Sequence, residues 1–417
     1  FLSGVYAGFY VLTIHLLVSR ETMRQTVFAV AVFGGVLAFS TILQLYLTDE
    51  MLLWFRHVPG ERVMGPYVNE NHYAGLMEMM FPVALGLFLF LRPRIGDSSF
   101  FKGIAEILGQ EKANIHILVG AAVILIATSL VLSLSRSGVV AACLSLLIFI
   151  GVLSRKQMNR TGTSFAAVVI ILACLSLSWF GWEPIVENFA NLRNEASELA
   201  TNRFDYCEDS REIFGDFPIT GTGFGTFKDI YHSYQSLPET YFVDHAHNDY
   251  LETAVEGGGI ALLLFAGFLA VWVVKSFRAY LTRHDPYAIF IYAGCLSGVA
   301  ALLLHSFTDF NLQIGANGLW FFFLLGLAVS AANTRMHTRE PATKLNDVGP
   351  AWVKGLCVAA SGVFLVAVVI FNGANVAGHF YYSHVEDFEN DPTVPANDLV
   401  KIQLIASMAR NFDPWNA

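Results

Sequence analysis

At 417 residues, with 55% of them hydrophobic, only 14% charged and a mean hydropathy of +0.52, the chain falls outside the balance of a soluble globular domain. Lipid must be the solvent for most of it. The formal net charge of -9 sits largely in one loop, which excludes the basic face that a nucleic-acid partner requires. In chain order, apolar runs long enough to span a bilayer, about 18 residues or more, recur near 1–18, 26–46, 72–91, 115–133, 137–153, 164–180, 258–274, 287–306, 317–334 and 353–372. They predict an all-α, polytopic transmembrane helix bundle. Helices over 1–180 lead into a large, mainly helical extracytoplasmic loop over 181–257; further helices follow over 258–372, then an extracytoplasmic tail over 373–417. The chain starts at Phe1 with no basic region or cleavage site ahead of the first run, so a preceding segment is expected. Cys143, Cys174, Cys295 and Cys357 fall inside apolar runs and Cys207 stands alone in a loop, a pattern of neither disulfides nor a zinc site.

The connections alternate in charge, so orientation can be read from Lys and Arg alone. One set of loops holds sixteen of them, including Arg20, Arg24, Arg92, Arg155, Lys156, Lys275, Arg278 and Arg283, and the alternate set holds nine. The basic set is assigned to the cytoplasm. The 181–257 loop, with fifteen acidic residues against four basic ones, then becomes extracytoplasmic, as do the turns carrying Arg136 and Asp309.

Polar residues at membrane edges need explaining. Arg136, in Leu132-Ser-Leu-Ser-Arg-Ser-Gly138, sits between two apolar runs with hardly a loop to occupy. It either snorkels to the headgroups or offers a planar guanidinium fork to a phosphate. The acidic loop carries a predicted helix near 186–214 with Arg203 and Arg211, then Pro218-Ile-Thr-Gly-Thr-Gly-Phe-Gly225, a backbone-exposing turn without Walker A spacing. The loop ends in Asp244-His-Ala-His-Asn-Asp249. His245 and His247 with flanking carboxylates permit a metal reading, but a third clear ligand is lacking. A loop histidine satisfied by hydrogen bonds is the bland alternative. The better reading makes His247 a general base, because imidazole titrates close to neutrality, with Asn248 fixing the local backbone. Asp309 lies between two apolar runs, placed to pair with an Arg or orient a His. Asn69, Asn71 and His72 open the third run, where they could bind sugar hydroxyls or cap the helix.

The order of these elements resembles the O-antigen ligase and O-antigen polymerase superfamily, over about 60–335 and most closely over 203–260. The carrying residues are the Ser-Arg-Ser-Gly turn, the loop Arg with its Pro-x-x-Gly-x-Gly turn, His247-Asn248 followed by Gly258, and the membrane-edge Asp309. Ala261 stands where the family pattern has a further Gly, a departure that concerns helix packing. The resemblance implies a multi-pass bacterial inner-membrane glycosyltransferase with its active face periplasmic and no cofactor. Its donor would be an undecaprenyl-pyrophosphate-linked glycan and its acceptor a lipid or glycan hydroxyl. It also implies that Arg136 and Arg203 contact the donor pyrophosphate, that His247 is the base and Asp309 its supporting acid, with Arg211 a further candidate. Asn69, Asn71, His72, His245 and Asn248 are the expected substrate-binding groups. The end of the chain, Leu404 to Ala417, resembles the seam of a tetratricopeptide repeat, a candidate site for a protein partner.

The expected chemistry is an inverting, metal-independent glycosyl transfer. The acceptor is left open between lipid A core, a growing polysaccharide and a protein Ser or Thr. A lipid-glycan transporter is the competing class, and it predicts broken helices and charges spread through the membrane interior. A scaffold that recruits partners through loop and tail is the third.

Overall fold

The computed structural model describes residues 2–47, 51–52, 56–58, 63–92, 113–156, 195–236 and 243–333, with backbone alone over 195–204. Within them the chain runs α1 (Leu2–Leu16), α2 (Arg20–Leu47), a two-residue hairpin of β1 (Met51–Leu52) and β2 (Arg56–His57), α3 (Glu70–Leu91), α4 (Ala113–Leu132), α5 (Arg136–Ser154), α6 (Glu195–Asp216), α7 (Phe227–Tyr231), α8 (Asp249–Leu281), α9 (Pro286–His305) and α10 (Gly315–Asn333). The all-α polytopic bundle expected from the sequence is what these residues form. Seven helices, α2, α3, α4, α5, α8, α9 and α10, are long and apolar enough to cross a membrane. The expected spans near 164–180 and 353–372, and the 373–417 tail, lie outside the described residues.

The middle of the bundle is α3 against α9. Residues 72–89 of α3 are buried almost without interruption, which is the pattern of a helix surrounded by other helices rather than by lipid. Small residues allow the approach: Gly294 sits on the Pro82 carbonyl and Val83, Gly298 on the Met79 carbonyl, and Gly86 on the Phe290 carbonyl. In lipid, where apolar side chains gain little by leaving the solvent, close backbone packing of this kind supplies much of the association. By contrast α8 turns most of its membrane segment outward, with Leu263 and Leu264 exposed.

Direction alternates from α2 to α5 and again from α8 to α10, and that alternation sorts the residues. The first turns of α3, α5, α8 and α10 and the last turn of α9 meet at one end. Arg20, Lys156 and Arg283 gather at the other, where Lys156 Nζ donates to the carbonyls of Leu281 (2.6 Å) and Arg283 (2.7 Å), Arg283 Nε donates to the Ala332 carbonyl, and Arg20 faces Asp285 at 3.8 Å.

Above the polar end, α6, α7 and the start of α8 share a small core of Ile213, Phe227, Tyr231, Val243, Ala246 and Val255. Asp209 of α6 closes it, accepting from Tyr231 Oη (2.7 Å) and from Ser236 N and Oγ (3.1 Å each). The Pro218–Gly225 turn locks onto a break in α8 at Gly258, whose φ of 64° and ψ of -171° leave the helical region. Thr222 N donates to Val255 O (2.9 Å) and Gly223 N to Glu256 O (2.8 Å), while Gly259 N donates to Pro218 O (2.8 Å) and Ile260 N to Ile219 O (3.2 Å). The turn therefore satisfies the backbone groups that the break frees. Glycine is required twice here: a Cβ on Gly221 would strike the Glu256 carbonyl group, and one on Gly258 the Ile219 carbonyl.

Candidate active site

The site begins with three local structures whose sequences dictate them. Ser133 and Ser135 turn the chain sharply between α4 and α5: Ser133 Oγ accepts from Ser135 N (3.2 Å), and Ser135, as N-cap of α5, accepts from Gly138 N (3.2 Å). That leaves Arg136 as the first residue of α5, exposed, with Ser137 next to it half-buried. Asn248 caps α8, its carbonyl oxygen accepting from Tyr250 N (3.0 Å) and Leu251 N (3.1 Å) while its amide donates to Phe307 O (3.0 Å). Asn69 caps α3, accepting from Asn71 N at 2.8 Å. Asn69 thus forms the helix cap that the sequence offered, and Asn248 fixes the local backbone by capping α8.

His247 lies just before the α8 cap with φ of 48°, in the left-handed region that few side chains adopt without support. The support is visible. Glu252, one turn into α8, accepts from His245 Nδ1 (2.7 Å) and from Ala246 N (3.1 Å), and Glu256 accepts from Phe227 N (3.1 Å). The two carboxylates at i+4 spacing thus fasten the loop to the helix. His247 Nδ1 then faces Asp309 Oδ1 at 3.4 Å, and His72 Nε2 faces the same oxygen at 3.7 Å, both near the long end for an ion pair. Phe310 packs among all three imidazoles, stacked on His245 at 4.0 Å and edge-on to His72 (4.6 Å) and His247 (5.0 Å). Tyr206 of α6 stacks on His247 from the loop side, with ring centroids 5.9 Å apart.

Asp309 is buried in the short α9–α10 connection, which Asp249 organises. Asp249 accepts from Ser306 Oγ (2.6 Å) and Leu312 N (3.0 Å), and its own N–H points to the Ser306 and Asp309 carbonyls. Beneath it Asn317 donates to His72 O and Asn311 Oδ1 (2.8 Å each) and accepts from Tyr67 Oη (2.7 Å), so α3 and α10 are tied at the same level. Burial alone would raise the Asp309 carboxyl, but the facing imidazoles of His247 and His72, together with His305, hold it well below the usual carboxylate range. For His245 burial opposes the charged form, yet the bond to Glu252 and the nearby Asp244 and Glu256 raise it above the usual imidazole value.

Of the sequence-designated residues, His247, Asp309, His72 and His245 thus form one cluster, and Asn69 and Asn248 position its helices. Asn71 is half-buried in the first turn of α3. Arg136 stands at the same end, joined to the cluster's surroundings through Ser137, whose hydroxyl is 2.9 Å from His305 Nε2. Arg211 is exposed on α6. The Arg203 side chain falls outside the described residues; its backbone position is one helical turn before Tyr206. His245 and His247 turn Nδ1 towards different carboxylates, Glu252 and Asp309, and among the described residues no group of three or more His, Cys, Asp or Glu is arranged to hold a metal ion. Cys143 and Cys295 are free thiols.

Sequence reasoning passed over Phe310, Tyr206, Asn317 and Glu78. The aromatic residues carried no signal among the chain's 35 Phe and 15 Tyr. Glu78 did carry one: it is a carboxylate inside an apolar run, fully buried, with His305 Nδ1 3.2 Å from each of its oxygens.

Helices and site together define a multi-pass α-helical membrane protein with its polar machinery at one end. Residues 121–266 match the family model described as O-antigen ligase, which bears out the superfamily resemblance and indicates a glycosyl-transferring membrane enzyme of bacterial type. The match contains Arg136, Arg203, His247 and Gly258, and ends before Asp309. No curated protein matches the chain.

Proposed function

We propose that the protein is a membrane glycosyltransferase of O-antigen ligase type. It moves a glycan from an undecaprenyl-pyrophosphate donor to a hydroxyl of lipid A core or of a growing polysaccharide, at the periplasmic face of the inner membrane. The observation that carries this reading is the imidazole of His247, held in a strained backbone conformation against the buried carboxylate of Asp309 at the mouth of the bundle. A carboxylate at Nδ1 favours the tautomer that leaves Nε2 to accept a proton and stabilises the imidazolium once formed.

In the proposed step the acceptor oxygen forms a bond to the anomeric carbon while the bond from that carbon to the pyrophosphate oxygen breaks. The electron pair leaves with the lipid pyrophosphate, the acceptor proton passes to His247, and attack from the opposite face inverts the anomeric centre. Arg136 and Arg203 are assigned to the charge growing on the leaving group, with Arg211 as an auxiliary cation, a stabilisation usually larger than any other catalytic contribution. The orientation is supported by the basic residues collected at the far end of the helices, which the positive-inside rule assigns to the cytoplasm.

Replacing His247 with Ala should lower transfer by about a thousandfold, within the range for loss of a general base. Reconstituted protein with a labelled lipid-linked donor, checked for intact folding, provides the measurement. Full retention of activity would overturn the assignment.

A further inference from the structure

Outside the His247–Asp309 cluster lies a second buried polar chain. Glu78 of α3 and His305 of α9 are both fully buried, and Glu78 sits about 12 Å along α3 from its first residue, at 1.5 Å rise per residue. A carboxylate so buried is among the costliest groups a membrane protein can hold unless it is paired, so its presence points to a task. Pro82, one turn on, lacks the amide that would otherwise bond the Glu78 carbonyl, and Gly294 packs against the Pro82 carbonyl, so α3 and α9 are in close register here. His305 Nδ1 meets both Glu78 oxygens at 3.2 Å, and its Nε2 meets Ser137 Oγ at 2.9 Å. Three helices thus deliver a carboxylate, an imidazole and a hydroxyl in series. The third member is half-buried and stands beside Arg136. Gly138 allows the convergence, since a Cβ there would press on Ala74, on Ser135 and on the His305 ring.

We infer that Glu78 and His305 are positioning residues that present the Ser137 hydroxyl, alongside Arg136, as a hydrogen-bond donor to a phosphate oxygen of the lipid-pyrophosphate donor. The inference rests on the glycosyl-transfer reading above. In the net-neutral pair Glu78 and His305 Nδ1 share one proton, and Nε2–H of His305 donates to Ser137 Oγ. The oxygen of Ser137 is then occupied as an acceptor, and its O–H is left to donate outward. A short hydroxyl on a rigid helix start adds directional recognition that a long Arg side chain does not provide.

The test is a double-mutant cycle on the full chain in nanodiscs, reading transfer from an undecaprenyl-pyrophosphate-linked glycan. Ser137→Ala should raise the donor KM about tenfold with the acceptor KM unchanged, the scale of a lost hydrogen bond to a charged group. Ser137→Thr, which keeps the hydroxyl, should restore most of the wild-type value. Glu78→Gln should shift the donor KM in the same direction, and the Glu78→Gln/Ser137→Ala double variant should be no worse than Ser137→Ala. Additive losses, or a Ser137→Ala enzyme with the wild-type donor KM, would overturn the inference. Where Glu78→Gln does not fold, the Ala and Thr variants of Ser137 still decide. If the wild-type protein transfers no glycan from this donor, the glycosyl-transfer reading fails by itself, and the relay is then judged on Kd for undecaprenyl pyrophosphate alone. Ser137→Ala should weaken that binding; unchanged binding would overturn the relay.

Discussion

The two ends of the bundle use polar residues in opposite ways. At the basic end, Lys156 and Arg283 donate to carbonyls near helix C-termini, Tyr280 Oη donates to Val152 O at 2.8 Å, and each of the three finds a backbone partner. At the acidic end, carboxylates and imidazoles are buried against one another, and Asp309 Oδ2 and Asn311 Nδ2 have no hydrogen-bond partner among the described residues. A satisfied cap stabilises the fold, whereas a buried polar atom held short of a partner costs free energy and persists where function requires it. The lesson is that burial of carboxylates against imidazoles, rather than polarity alone, distinguishes the two ends.

The largest expected break in this contrast, after His247→Ala, is Asp309→Asn. It leaves His247 and His72 facing a neutral amide and should lower kcat about a hundredfold with a smaller change in KM, as befits a group that acts through the base. Steady-state kinetics on the folded variant would check it, and an unchanged kcat would detach Asp309 from the chemistry. Gly258→Ala comes next. It forces a Cβ into the Ile219 carbonyl at a left-handed φ and should destabilise the protein by about 2 kcal/mol or more, read as an earlier thermal unfolding transition.

A subtler difference concerns His245. Its pKa is raised in the folded state, so its contribution to stability is fully present below the unfolded imidazole value of about 6.5 and is lost as pH rises through the folded value. The thermal midpoint should therefore fall on going from weakly acidic to alkaline buffer, and His245→Gln should flatten that part of the profile. Asp309 behaves in the opposite sense. Its depressed pKa gives stability that is present at neutral pH and lost only in strong acid. Smallest is Lys156→Ala at the far end, where loss of two partly exposed carbonyl bonds should cost at most about 1 kcal/mol and leave kcat unchanged. A kinetic effect there would show that the ends are coupled.

Much of the bundle was legible because lipid imposes a rule on sequence: every span must be apolar and long, so runs such as 287–306 reappear as α9 with nearly the same bounds. Motif residues were legible where chemistry restricts residue type, as at His247 and Asp309. The meaning of a polar residue inside a motif was less so. Asn248 reads as a substrate-binding group in one dimension, and the structure shows it also capping α8, while Glu252 ties the His245–Ala246 segment to that helix.

By itself the sequence determined that the chain is a polytopic helical membrane protein, which end of each helix is basic, and that His247 and Asp309 are unusual at a membrane edge. These follow from composition and period, which are local properties. Tertiary structure alone decided that an imidazole from the acidic loop, a carboxylate from the α9–α10 turn and His72 from α3 share one oxygen, and that Glu78, inside an apolar run, reaches Ser137 through His305. Such contacts join residues separated by 168 and 227 positions, and their register is set by how glycines on α5 and α9 let the helices approach, which no pattern along a single helix records.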